Sequence, residues 1–159
     1  MKFADFICFE AIIPELKAKD RNSAIAELVS SLHKTGLLGK SKGNCEEITK
    51  AVIKRENEAS TGMGKGVAVP HVKYKVVKNV VATIGQSSTG IDFSSLDKQP
   101  VYSVILIISP IDNPDKHLQV MESVFKHLQE EKFRKFLRQS KDAKDIEELL
   151  READENPYL

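Results

Sequence analysis

The sequence has little of several features that mark specialised classes of protein. Its two cysteines, Cys8 and Cys45, are far apart, so neither a disulfide framework nor a cysteine-based zinc site is indicated. The 24 Lys and Arg residues are balanced by 23 Asp and Glu, for a formal net charge of +1. A protein that neutralises many phosphates of a nucleic acid usually has a clear basic excess. Nucleic-acid binding is therefore disfavoured.

Long apolar runs are also missing. Residues 1–7 lack the apolar run of a signal peptide, and the longest apolar stretch, residues 104–108, is far too short to span a bilayer. What is present is ordinary globular composition, with 41% hydrophobic and 30% charged residues in a chain of 159. This length suits one compact domain with its own core. We therefore expect a single domain over residues 1–159 and a soluble, cytoplasmic protein without direct membrane insertion.

Helical periodicity is clear in the first third of the chain. Apolar residues at i, i+3, i+4 and i+7 predict a helix over residues 20–34, and Gly36 is a plausible stop: Ile25, Leu28, Val29 and Leu32. A second helix is predicted to begin at Asn44, with Glu47 completing a capping box. Its buried stripe is predicted to hold Ile48, Ala51 and Val52, and Arg55 is the next residue on it. A guanidinium at the core-facing end of a helix either extends to solvent or reaches into a site.

The middle of the chain has the pattern of strands. Residues 76–86 and 100–109 are predicted to be strands, with turns at residues 87–90 and 97–98 between them. The second strand is apolar on both faces, which is typical of a central strand. A helix follows, with Asn113 as N-cap and Pro114 as its first residue, and helical patterning continues to Ala153. The predicted fold class is α/β: a single layered domain with a mixed β-sheet flanked by helices.

The segment with the clearest chemical potential ends at His71. A short β-prone run and Pro70 stand directly before this histidine, and three alternate glycines stand before that run: Gly62, Gly64 and Gly66. Glycines let a backbone turn sharply and bring N–H groups close to an anion, and Thr61 adds a hydroxyl donor. The alternative interpretation is a glycine turn beside an ordinary loop histidine, and spacing alone leaves both open.

Two further residues favour a site at His71. His117 follows the central strand and falls in the first turn of the next helix, where the positive end of the helix dipole favours a phosphate. Ligands of open α/β sheets tend to bind beyond such strand ends. Arg55 lies just before the glycine segment and could supply a fixed cation. The alternatives are a solvent-facing His117 and a surface salt bridge of Arg55 with Glu56 or Glu58.

A metal site is not favoured by the histidines. None of the four has a partner at the i, i+4 spacing of a helical metal motif, and no cysteine or carboxylate motif surrounds them: His33, His71, His117 and His127. His33 and His127 are predicted to be surface residues of helices without a role.

The pattern of these residues resembles a known family. Arg55-Glu56 followed by residues 60–71 is similar to the signature of enzyme IIA domains of the fructose/mannitol/nitrogen-regulatory class, which belong to the phosphoenolpyruvate-dependent phosphotransferase system. The similarity continues through residues 90–93, Asp97, residues 100–110 and His117-Leu118. Lys65 and Lys98 stand where the family is variable or often has glycine, and neither departure touches the key positions.

The resemblance implies a function and its residues. It implies that His71 is the phosphorylated residue, that His117 is the second active-site histidine, and that Arg55 is the active-site arginine. The phosphoryl group would come from an HPr-like phosphocarrier protein, with no nucleotide, metal or other cofactor. It would pass to an enzyme IIB for sugar uptake, or the chain would be a nitrogen-type regulatory IIA protein whose phosphorylation state controls partner binding. The sequence leaves these two roles open.

Overall fold

The computed structural model describes residues 1–156 of the chain. Within them, two α-helices precede five strands, and three further α-helices follow. The strands form one mixed sheet, so the predicted α/β class with helices around a mixed sheet is confirmed. The bounds of individual elements differ from the predicted ones in two places.

The first helix, α1 (Arg21–Lys34), has the predicted extent and is capped by Asp20, whose carboxylate accepts from the Ser23 N–H at 2.9 Å. The second helix, α2 (Lys42–Glu58), begins two residues before the predicted Asn44. The predicted start is wrong because Ser41 supplies the cap, accepting from the Gly43 N–H at 3.2 Å. The Glu47 carboxylate accepts instead from the Tyr74 hydroxyl on a distant part of the chain.

The sheet is built around one central strand. Its strands are β1 (Gly62–Gly64), β2 (Val67–Ala68), β3 (His71–Lys73), β4 (Val81–Ile91) and β5 (Val101–Ser109). β5 pairs in parallel with β2 and β3 along one edge and antiparallel with β4 along the other, while β1 pairs antiparallel with β2. The predicted central strand is therefore confirmed.

The predicted strand over residues 76–86 is confirmed only from Val81 onwards, and the predicted turn over residues 87–90 is wrong. β4 starts at Val81 and continues to Ile91 through a register shift, because Gln86 faces Ser103 whereas Ile91 faces Val101. The extra residues of β4 form an irregularity inside the ladder, closed by a 3.1 Å bond from the Gly90 N–H to the Ser87 hydroxyl. Residues typical of turns here make a bulge.

The two faces of the sheet carry separate hydrophobic clusters. Ile105 and Ile107 of β5 pack with the three C-terminal helices, α3 (Pro114–Leu128), α4 (Glu131–Gln139) and α5 (Ala143–Glu155). The alternate residues Val104, Leu106 and Ile108 pack with α1 and α2. Because successive side chains of a strand point to opposite faces, an uninterrupted apolar run places β5 between two helical layers.

The C-terminal helices confirm one prediction and correct another. Asn113 caps α3, accepting from the Lys116 N–H at 3.2 Å, and Pro114 is in the first turn, as predicted. His127 is buried rather than on the surface, with its ring 4.8 Å from that of Phe3 and 5.5 Å from that of Phe133. The N-terminal segment closes over this face, which helical periodicity cannot show. None of the helices in residues 1–156 is long and apolar enough to cross a membrane.

Candidate active site

The candidate site lies at a break in the edge of the sheet. β2 and β3 pair with β5 in one continuous parallel register, Ala68 facing Val104 and His71 facing Ile107. Between them, the Pro70 carbonyl accepts from the Ile107 N–H at 3.0 Å. Proline has no N–H to donate to a ladder. The interruption before His71 thus follows from the sequence, and it places His71 as the first residue of β3.

The His71 ring is held by the backbone of this break. Its Nδ1 lies 2.8 Å from the Val69 carbonyl oxygen. Because a carbonyl can only accept, Nδ1 must carry the proton in this contact, which leaves the lone pair of a neutral ring on Nε2. No residue among 1–156 forms a hydrogen bond with Nε2. The ring therefore presents a nucleophilic nitrogen away from the backbone.

The surroundings keep the His71 ring neutral. Burial lowers the pKa of His71, and the positive charges of Arg55 and Lys73 lower it further, against opposing effects of the Val69 carbonyl and the Glu56 carboxylate. A neutral ring at physiological pH is the form that can attack an electrophile.

His117 lies beside His71. It is the fourth residue of α3, and the two ring centroids are 5.6 Å apart. The His117 side chain is buried, which contradicts the solvent-facing alternative, and its Nδ1 lies 2.5 Å from the Ser109 hydroxyl oxygen. Burial, followed by the charges of His71 and Lys73, lowers the pKa of His117 to about 4. Both imidazoles are thus neutral near pH 7.

Arg55 approaches from the opposite side of the sheet edge. It lies in the last turn of α2, half-buried, and its Nη1 donates to the Ala59 carbonyl at 3.1 Å. Within residues 1–156 it forms no ion pair with Glu56 or Glu58, so the surface salt bridge is not the interaction that holds it. A guanidinium has five N–H donors. The single bond to Ala59 leaves donors for an anion near His71.

The glycines are not all close to His71. Gly64, Lys65 and Gly66 have φ angles of 88°, 59° and 80° and form the tight turn between β1 and β2. The Lys65 N–H of this turn donates to the Asp97 carboxylate at 2.8 Å. The turn precedes Val67, and His71 follows four residues later, roughly 13 Å along the strand. Gly64 and Gly66 therefore shape a hairpin and lie away from the His71 ring.

Thr61 and Gly62 form the start of this hairpin. The Thr61 carbonyl accepts from the Val69 N–H at 3.2 Å, which places Thr61 beside the peptide that holds His71. Its hydroxyl donates to the Glu56 carboxylate at 2.7 Å rather than into the site. A Cβ atom at Gly62 would lie 2.2 Å from the Ser95 hydroxyl oxygen, so glycine is required here by close packing.

Sequence reasoning gave no role in the site to two residues of this region. Glu56 is buried and binds the Thr61 backbone and hydroxyl, and Ser109 is buried against His117. Glu56 lies eight residues after Ile48, on the helix stripe assigned to Arg55, so the periodicity contained the signal. Ser109 is the polar residue that ends an apolar strand. Among residues 1–156, no three His, Cys, Asp or Glu side chains are grouped so that they could hold a metal ion.

The fold agrees with comparisons to known proteins. Residues 6–153 match the model of the family described as "Phosphoenolpyruvate-dependent sugar phosphotransferase system, EIIA 2". The chain belongs to this family. Enzyme IIA domains are phosphotransfer components of that system, and the resemblance seen in the sequence is confirmed.

Relatives of this enzyme IIA chain are named either as sugar-specific components or as nitrogen regulatory proteins. It is 30% identical over 97% of its length to the fructose-specific EIIABC component of Bacillus subtilis, of which it spans 24%. It is 31% identical over 94% of its length to a nitrogen regulatory protein of Bradyrhizobium diazoefficiens, of which it spans 95%. The first relative is thus about four times as long as this chain, and the second has about the same length.

Solved structures share the fold. The nitrogen regulatory protein IIA-Ntr of Neisseria meningitidis matches with a TM-score of 0.83 at 20% identity, over 93% of this chain and 98% of that one. The enzyme IIA of mannitol from Escherichia coli, solved in complex with phosphorylated enzyme IIB, matches with a TM-score of 0.72 at 23% identity, over 90% and 95% of the two chains. At these identities the similarity concerns the fold.

Proposed function

We propose that this enzyme IIA chain accepts a phosphoryl group on Nε2 of His71 and then donates it to a second protein, as a single domain over residues 1–159. The observation that carries the proposal is the bond between His71 Nδ1 and the Val69 carbonyl oxygen. This bond selects the tautomer whose Nε2 lone pair is free.

The chemistry is an in-line exchange of one P–N bond for another. The Nε2 lone pair of His71 attacks the phosphorus of a donor phosphohistidine, on an HPr-like phosphocarrier. The donor P–N bond breaks, and its electron pair returns to the donor imidazole. The proton of His71 stays on Nδ1, which donates to the Val69 carbonyl oxygen, and this bond stabilises the positive charge that the ring gains. No metal or nucleotide takes part.

Arg55 and His117 then act on the transferred group. Catalysis of phosphoryl transfer consists largely of positioning and of stabilising charge on the equatorial oxygens. Arg55 supplies a cation with unused N–H donors, and His117 lies within 5.6 Å of His71, measured between ring centroids. In this proposal Thr61 and Gly62 support the backbone beside His71, and Gly64 and Gly66 shape the hairpin. Reaction in the opposite sense passes the group on.

The recipient of the phosphoryl group has two candidates. An enzyme IIB of a sugar permease is supported by the fructose-specific relative and by the mannitol complex that shares this fold. A regulatory target protein is supported by the nitrogen regulatory relative, which this chain matches over nearly the whole length of both. The roles are distinguished by incubating the phosphorylated chain with a IIB from a neighbouring gene and measuring whether the label moves.

The acceptor is tested with labelled phosphoenolpyruvate and the two general phosphocarriers of the system. We expect an acid-labile label on the unsubstituted chain, a ³¹P shift characteristic of Nε2-phosphohistidine, and no label on His71→Ala. His33→Ala is the matched control and should be labelled normally. The His33 ring bonds the Ser41 carbonyl at the beginning of α2, whereas Arg55 lies at the end of that helix. Acid-labile label on His71→Ala would contradict the assignment.

A further inference from the structure

The end of β5 holds a hydroxyl group in contact with the second histidine. Ser109 is the last residue of this strand and is fully buried. Its side-chain oxygen lies 2.5 Å from Nδ1 of His117. Its backbone is fixed as well, because the Ser109 carbonyl accepts from the Tyr74 N–H at 2.8 Å. The hydroxyl is therefore presented to His117 by a rigid part of the sheet.

Two proton arrangements are conceivable for this contact. Either the Ser109 hydroxyl donates to an unprotonated Nδ1, or a protonated Nδ1 donates to the hydroxyl oxygen. In the second arrangement the hydroxyl proton needs another acceptor, and the Ser109 side chain has no other hydrogen-bond partner among residues 1–156. A buried donor without an acceptor is unfavourable. The first arrangement satisfies both groups and places the ring proton on Nε2.

We infer that Ser109 is a positioning residue, whose hydroxyl donates to Nδ1 of His117 and holds this imidazole as the Nε2–H tautomer. This inference rests on the function proposed above, in which a phosphoryl group occupies the space between His71 and His117. His117 then donates a hydrogen bond from Nε2 to a phosphoryl oxygen as a neutral imidazole. The two histidines have opposite tautomers. His71 keeps its proton on Nδ1 and attacks through Nε2, whereas His117 keeps its proton on Nε2 and donates a hydrogen bond from this N–H.

Alignment of the ring follows from the same bond. In the parallel register of β3 and β5, His71 faces Ile107 and Lys73 faces Ser109. Residues two apart on a strand point to the same face. The side chains of His71 and Ser109 therefore lie on one face of the sheet. The face is the one that packs on α3. A hydroxyl anchored there fixes the rotation of the His117 ring against β5. The anchoring resembles the second sphere of metal sites, where the partner of the other ring nitrogen orients a histidine.

The tautomer of His117 is measured directly on the unsubstituted full-length chain. Long-range ¹H–¹⁵N NMR distinguishes the two ring nitrogens, and at pH 7 we expect a protonated Nε2 and an unprotonated Nδ1 for His117, with the opposite pattern for His71. This experiment needs no phosphoryl donor. A protonated Nδ1 on His117 would overturn the inference whatever the activity of the protein.

The contribution of the hydroxyl is isolated by an isosteric pair. Ser109→Thr keeps the hydroxyl, and Ser109→Val introduces a side chain with the shape of threonine but without the hydroxyl. We expect Ser109→Val to show mixed tautomers at His117 and transfer to His71 slowed by about tenfold, in line with other groups that orient a histidine from behind, while Ser109→Thr retains both. Ser109→Ala replaces the pair if the added methyl group prevents folding.

The outcomes separate the two proposals. Equal rates and a single His117 tautomer in the Val and Thr variants would overturn the role of Ser109 and leave His71 as acceptor. Absence of label on the unsubstituted chain, with phosphoenolpyruvate and both phosphocarriers or with phosphoramidate as a small donor, would overturn the proposed function. The NMR pattern of His117 would stand independently of that result.

Discussion

The two carboxylate oxygens of Glu56 accept from one residue, Thr61. One oxygen lies 2.6 Å from the Thr61 N–H nitrogen, and the other lies 2.7 Å from its hydroxyl oxygen. Glu56 is only 1% exposed. A buried carboxylate thereby joins the end of α2 to the start of the segment that leads to His71. Arg55 belongs to that helix end, so the connection links the elements that carry Arg55 and His71.

Glu56→Ala is expected to lower the free energy of unfolding by about 1–3 kcal/mol, because it leaves two Thr61 donors without their acceptor. Urea denaturation measures the change. Glu58→Ala, on the exposed side of the same helix turn, is the control and should stay within about 0.5 kcal/mol. In a double-mutant cycle with Thr61→Val, the effects should not be additive. Additive effects would mean that the contact is not the source of the loss.

Arg55→Gln is expected to raise the pKa of His71. The guanidinium charge is one of the causes that lower this pKa, and glutamine removes the charge while keeping a polar side chain. NMR titration of the His71 ring measures the shift. Lys34→Gln, on a different helix, should leave the titration unchanged. A His71 pKa that stays constant or falls in Arg55→Gln would place the guanidinium outside the site.

His117→Ala is expected to slow phosphoryl transfer to His71 by about 10²-fold, the effect of losing one donor to a developing anion. The fold should remain, as circular dichroism and the NMR spectrum would show. His117→Gln should recover part of the rate, because its amide can donate near the position of Nε2. An unchanged transfer rate in His117→Ala would remove this residue from the site.

The stability of the fold should decline below pH 6.5. The pKa of His117 is about 4 in the folded chain against an ordinary value of 6.5, so between these values the unfolded chain binds the extra proton and the folded chain does not. Above pH 6.5 this group does not reduce the free energy of unfolding. As pH falls towards 4, proton binding by the unfolded chain lowers the free energy of unfolding by on the order of 2 kcal/mol. Urea denaturation at several pH values measures this. His117→Gln should flatten the dependence, although His71 and buried His127, whose pKa values are also lowered, contribute a remainder. An equally steep dependence in His117→Gln would contradict the assignment.

Gly66→Ala should destabilise the fold more than Gly36→Ala. Both glycines have left-handed φ angles, 80° and 86°, so both variants lose about 1 kcal/mol to backbone strain. A Cβ atom at Gly66 would also lie 3.2 Å from the Tyr102 ring, whereas nothing lies within 4 Å at Gly36. Thermal or urea unfolding gives both values. Equal losses would show that Tyr102 moves aside freely.

Local patterns were sufficient for several of the regular elements and singled out the segment that ends at His71. The period of apolar residues predicted α1, and the uninterrupted apolar run predicted the central position of β5, because burial on both faces requires such a run. Pro70 placed a break in the strand just before His71. These features depend on neighbours in the sequence, which is why they could be predicted.

Tertiary structure alone decided which polar groups meet. β4 continued through residues expected to turn, and His127 became buried under the N-terminal segment, since each depends on residues distant in the chain. The glycine turn proved to lie away from His71, because the pairing of the strands keeps the residues between them extended. The contacts of Glu56 with Thr61 and of Ser109 with His117 depend on how the chain turns between a helix and a strand. A hydrogen bond requires atoms within about 3 Å, and the sequence pattern does not specify such distances.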